Sequence, residues 1–163
     1  MSDRQRTITW EDPAPGVAAM PGMTGLQYLH AMIAGELPPP PMAAVMDMRL
    51  VRAEPGIAAF ECDPDESHYN PIGAVHGGLV CTLLDSALGC AAQTTLPAAQ
   101  GYTSIEIKVN YLRPVTHASG TLTATGRVTK PGSRVAFAEG EVTDASGKVV
   151  ATASGTLLVF AIG

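Results

Sequence analysis

Between residues 68 and 97 the chain reads HYNPIGAVHGGLVCTLLDSALGCAAQTTLP. Asp85 is the one acidic side chain in this stretch, and it sits in a run from Leu79 to Ala92 that is otherwise apolar, small or hydroxylic. A carboxylate in such surroundings can act as a general base or a nucleophile when the reacting carbon is brought to it. The same run opens on His76-Gly77-Gly78. The first N–H groups of a helix have no intrahelical acceptor and carry partial positive charge. Two glycines leave them open to a ligand oxygen, an arrangement that holds an oxyanion or a polarised carbonyl without a side chain. Asn70 and His76 stand close enough in sequence to add donors or to orient the turn. A flexible helix start and a histidine satisfied by backbone are the plainer explanations of the same residues.

Spacing limits how these groups combine. Gly77 and Asp85 are eight residues apart, which is ~12 Å along a helix axis. One chain therefore cannot bring both to one small reacting group. Thr82, Asp85, Ser86, Gly89 and Gln93 fall on one stripe at steps of three and four, with Leu79, Leu83, Ala87, Cys90 and Ala91 facing away from it. A solvated stripe of this length normally carries several lysines or glutamates, whereas small residues fit the close approach of another backbone. Two such helices packed antiparallel about a two-fold axis would bring Gly77 of one to Asp85 of the other, giving two equal sites. The expectation is a homodimer with shared sites, alone or as a dimer of dimers.

The elements that must position these residues follow from periodicity. Residues 1–42 read as an N-terminal arm: extended and proline-bearing to 21, then a short helix with Leu26, Leu29, Ile33 and Leu37 at helical spacing, then a stiff run of prolines at 38–41. Residues 43–163 read as one domain. Two strands flank the turn at Glu54-Pro55-Gly56, the long apolar helix follows and ends before Pro97, and four strands complete the chain. Ile105, Ile107, Val109 and Tyr111 alternate onto one face, as do Leu122, Ala124, Gly126 and Val128. Short turns predict an antiparallel meander. The fold class is α+β, with a curved antiparallel sheet wrapped around one long central helix that is buried on most sides.

Composition narrows the function classes. The 163 residues suit one domain, and a net charge of −5 argues against a general nucleic-acid or membrane-surface partner. Cys62, Cys81 and Cys90 show no paired spacing, and Cys81 and Cys90 are nine residues apart on one helix, ~13 Å and too far for a disulfide. Reduced thiols and an N-terminus without a leader-like apolar segment point to the cytoplasm. No apolar run is long enough to span a membrane.

Asn70-x-x-Gly73-x-x-His76-Gly77-Gly78 followed by Asp85 resembles the signature of hotdog-fold acyl-CoA thioesterases of the phenylacetate-degradation (PaaI) type, over roughly residues 43–160. The resemblance implies hydrolysis of an acyl-CoA thioester to the free acid and CoA, with Asn70, Gly77 and Asp85 at the active site. Counting back from Asn110-Tyr111-Leu112-Arg113-Pro114, it implies an assisting hydroxyl at Ser104, with Thr103 its neighbour. It places His76 and Gly78 against substrate, and Lys130 and Arg134 of the turn TKPGSR on the CoA phosphates. It implies no metal, and no cofactor beyond the coenzyme A that the substrate carries. Whether Asp85 attacks or activates water stays open. Two rivals share the fold. A hotdog hydratase or dehydratase would work through a histidine, for which His76 is the candidate, and a noncatalytic acyl-CoA-binding module would have little use for Asp85.

Overall fold

The computed structural model describes residues 3–162. Its strands are β1 (Met48–Glu54), β2 (Ile57–Cys62), β3 (Gln100–Tyr111), β4 (Leu122–Lys130), β5 (Val135–Thr143) and β6 (Val149–Ala161). All pairs are antiparallel, in the order β1-β2-β4-β5-β6-β3. The meander expected for the last four strands holds for β4, β5 and β6 only. β3 lies at the far edge beside β6, because residues 112–121 are no tight turn. They carry Pro114 and a 3₁₀ turn, His117–Ser119, which frees β3 from its successor.

Helices α1 (Ala14–Ala19), α2 (Gly25–Ile33) and α3 (Pro41–Met46) precede or abut the sheet, and α4 (Gly77–Gln93) lies across it. Leu83, Leu84, Ala87 and Ala91 of α4 are fully buried, as its apolar run predicts. The sheet closes tightly on this helix where three neighbouring strands carry glycine. A Cβ on Gly126 would stand 2.3 Å from the Ala87 carbonyl oxygen, and one on Gly140 or Gly155 would meet the Leu88 side chain at 2.7 or 2.9 Å. These absent side chains let the sheet curl around α4, which is the hotdog arrangement.

The arm contains more helix than expected. Residues 14–22 form α1 and a 3₁₀ turn where an extended chain was predicted, and α3 occupies 41–46 where the first strand was predicted to begin. The reason is the same at both places. Proline ends a helix from within but suits its first turn, where no N–H is needed. Pro41 thus opens α3, and Pro13 precedes α1, whose Ala14 N–H is held by Asp12 at 2.9 Å. α2 has Thr24 as its N-cap, with a capping box to Gln27, and it ends at Ile33, so Leu37, read as part of this helix, lies beyond it. It packs on β1 and the end of α4. The His30 ring bonds the Ala53 carbonyl at 2.9 Å, and the Gly25 N–H donates to the Leu96 carbonyl at 3.0 Å. Among the described residues no helix is long and apolar enough to cross a membrane.

Candidate active site

The loop before α4 is folded on Asn70. Its side-chain oxygen accepts the N–H groups of Ile72 and Ala74 at 3.1 and 3.2 Å, and its backbone N–H donates to the Ala74 carbonyl at 2.7 Å. Gly73 takes φ +81° within this turn, which explains the glycine of the motif. Because the oxygen is engaged, the Asn70 amide nitrogen is the group left to donate, and it has no partner among the described residues. The turn is locked to the segment that leads out of β3: the Val75 N–H donates to the Val115 carbonyl at 2.8 Å.

His76 caps α4. Its Nδ1 accepts the Gly78 N–H at 2.8 Å. A Cβ on Gly78 would stand 2.9 Å from that nitrogen, so the second glycine makes room for the cap. The first glycine has a different cause. The Tyr111 ring lies where a Gly77 side chain would be, 3.0 Å from an added Cβ, and its hydroxyl donates to the Gly77 carbonyl at 3.0 Å. Neither glycine has a positive φ, so a flexible helix start explains neither. The Gly77 N–H has no acceptor among the described residues. Tyr111 was expected only as one of four residues sharing a strand face. Its position at the helix start was not readable from the sequence.

Asp85 is half-buried on α4, and the Ser104 hydroxyl donates to its Oδ1 at 2.6 Å. That contact depends on a break in the strand. The register of β3 on β6 shifts between Ser104 and Glu106, leaving Ile105 as a bulge that is 56% exposed. The alternation predicted from Ile105 to Tyr111 holds from Ile107 onward, where Ile107 and Val109 pack on the core. Continued upward, it would have aimed Thr103 at the helix. The extra residue reverses the phase, so Tyr102 and Ser104 face α4 and Thr103 is exposed. Ile105 therefore does not share the face of Ile107 and Val109, a correction to its expected place.

The small-residue stripe of α4 is also partly corrected. Its second half is filled by this chain, not left for another. The Tyr102 ring covers Gly89, where an added Cβ would come 2.3 Å from the phenolic oxygen, and Gln93 is 5% exposed. Gly25 of α2 sits so close that a Cβ there would be 1.8 Å from the Gln93 carbonyl oxygen. Thr82, Asp85 and Ser86 remain half-exposed. Gly77 and Asp85 lie on the same helix, eight residues apart, ~12 Å along the axis.

The thiols near the carboxylate are held protonated. Burial, and then the Asp85 charge, raise Cys81, and burial foremost pushes Cys90 up to about 12. All three cysteines are free. Lys130 ends β4 and Arg134 precedes β5. Both are exposed and have no ion-pair partner among the described residues.

The sequence profile of the thioesterase superfamily matches residues 72–151, a span that holds His76, Gly77, Asp85, Ser104, Lys130 and Arg134. Human acyl-coenzyme A thioesterase 13 is 35% identical over 103 residues, covering 63% of this chain and 72% of that protein. The chain belongs to the thioesterase superfamily. As a member of it the protein is a thioester hydrolase. A thioesterase family protein from Silicibacter pomeroyi superposes with a TM-score of 0.73 at 26% identity, over 84% of this chain and 98% of that one. The E. coli PaaI protein of the phenylacetic acid degradation operon has the same fold, with a TM-score of 0.72 at 23% identity over 86% of this chain and 94% of that one. The superfamily match begins after Asn70 and leaves out the arm.

Proposed function

We propose that this thioesterase hydrolyses acyl-CoA esters in a homodimer whose sites are shared between protomers. The carrying observation is the Ser104 hydroxyl on Asp85 Oδ1 at 2.6 Å, which fixes a carboxylate whose other oxygen is unengaged among the described residues. From one protomer, the Gly77 N–H and the Asn70 amide polarise the thioester carbonyl and stabilise its oxyanion. From the partner comes Asp85, as base toward a water or as nucleophile. In the first case the water oxygen bonds to the carbonyl carbon as its proton passes to Asp85. The C–S bond then breaks, and the proton leaves with the CoA thiol. Lys130 and Arg134, exposed cations on one turn, bind the CoA phosphates. No metal or added cofactor enters this scheme. The free cysteines support a reducing, cytoplasmic setting. His76 is less suited to the hydratase reading, since its Nδ1 is taken up by the Gly78 N–H.

The test is CoA release from a series of CoA esters by wild type and Asp85→Asn. Turnover of the variant is expected to fall by on the order of a hundredfold or more with KM largely kept. Near-wild-type turnover on the best ester would refute the role of Asp85.

A further inference from the structure

A cavity of about 630 Å³ lies between the arm and the sheet, within the usual range for ligand pockets, roughly 300–1,000 Å³. Leu29 and Met32 of α2 roof it, Leu50 and Phe60 of β1 and β2 wall it, and Cys90 and Tyr102 form its floor. We propose that this cavity receives the acyl chain, and that the arm makes the enzyme select long, flexible aliphatic acyl groups over short ones. The proposal rests on the acyl-CoA reading above and adds the substrate class.

The floor lies near the reacting groups of the same chain, with Tyr102 on the side toward them. Cys90 is five residues beyond Asp85 on α4, roughly 7.5 Å along the axis. Tyr102 is two residues before Ser104 on the same face of β3, roughly 7 Å away. Asp85 and Ser104 do not themselves line the cavity, and on this proposal a chain leading from a carbonyl at Asp85 enters it past the Tyr102 ring. An acetyl group ends before this point. A dodecanoyl group extends well beyond it, and each methylene taken out of water is worth roughly fourfold in binding.

The lining suits an apolar, pliable occupant. Met20, Met32 and Met48 border it, and thioether side chains adapt to a flexible ligand. Away from its exposed rim the lining is apolar apart from Tyr28, Gln93 and Tyr102. Its charged neighbours, Glu11, Asp47 and Arg49, are exposed, and Arg49 is engaged by Glu61 and Asp63. The arm is tied down at two places before the roof. Gly25 is bonded to Leu96, and at the start of the chain Arg4 pairs with Glu66 while the Arg6 guanidinium donates to Ser67 at 3.2 Å.

The experiment measures kcat/KM of the full chain on acetyl-, hexanoyl- and dodecanoyl-CoA, together with calorimetric binding of the uncleavable thioethers S-methyl-CoA and S-dodecyl-CoA. Wild type should prefer dodecanoyl- to acetyl-CoA by at least about tenfold. Met32→Trp, which fills the roof, should lower the dodecanoyl-to-acetyl ratio at least about tenfold, by loss of burial. A wild type without chain-length preference, or a variant with the ratio unchanged, overturns the proposal. If Met32→Trp does not fold by circular dichroism, Leu37→Phe narrows the same roof and is read in the same way. If wild type cleaves no CoA ester, the hydrolytic reading of the CoA ester fails by itself. The thioethers then decide the cavity: tighter S-dodecyl-CoA binding that the filling variant abolishes supports it, and equal binding of the two thioethers refutes it.

Discussion

Ser104 and Thr103 differ by one position and by one methyl group, yet only Ser104 meets Asp85, at 2.6 Å. Its hydroxyl donates to Oδ1 and so sets the carboxylate's rotamer. On the mechanism proposed, Ser104 is a positioning residue. Ser104→Ala should lower kcat by roughly tenfold with KM little changed, since an orientation realised at the transition state is what is lost. Ser104→Thr restores a hydroxyl at the same carbon and should recover most of the rate. Steady-state kinetics on both variants checks this, and equal loss in the two would assign Ser104 to packing alone. The glycines of the motif show how differently identical residues are used. Gly73 supplies a positive φ, Gly77 yields space to Tyr111, and Gly78 yields space to the His76 cap.

At the scale of elements, β3 is two half-strands in opposite phase, joined by the bulge at Ile105. The upper half presents Tyr102 and Ser104 to α4, and the lower half presents Ile107, Val109 and Tyr111. A one-residue slip exchanges the two faces of a strand. Deleting Ile105 removes the unpaired residue and makes Ser104–Leu157 and Glu106–Thr156 consecutive pairs, so Tyr102 and Ser104 should keep facing α4. Deleting Thr103 instead keeps the bulge and turns Tyr102 outward, and removing its ring from Gly89 should cost about 3 kcal/mol. Urea unfolding of the two deletion variants measures the difference. Equal stability would mean that the strand re-forms with another register. The prolines make a parallel case in the arm, where Pro41 opens α3 instead of merely ending the segment before it.

At the scale of the molecule, the helix start and the carboxylate lie on one rigid rod and cannot converge within one chain. The complementation of two inactive variants tests whether they converge between chains. Asp85→Ala and Asn70→Ala homodimers each have two defective sites. Co-refolded in equal amounts, about half the dimers are mixed, and each mixed dimer has one site built from intact copies of both residues. Recovery should approach about a quarter of wild-type activity per chain by that count. A tagged-subunit pull-down establishes that chains exchanged. Exchange without recovery would place each complete site within a single protomer and refute the shared arrangement.

The sequence by itself determined what depends on local repeat. A lone acid in an apolar helix, a capped glycine start eight residues before it, and the distance between them all follow from 3.6 residues per turn and a fixed rise. The alternation of β4 is of the same kind, with Leu122, Ala124 and Gly126 buried as read. What only the tertiary structure decided are contacts between segments far apart in the chain: Tyr111 on Gly77, Tyr102 on Gly89, Gly25 on Gln93, and the arm as the roof of a cavity. Periodicity carries no information about which distant segment fills a gap. Nor does it reveal one inserted residue, because a bulge such as Ile105 leaves each half-strand alternating normally and changes only their relation. That relation put Ser104, and not Thr103, on the carboxylate.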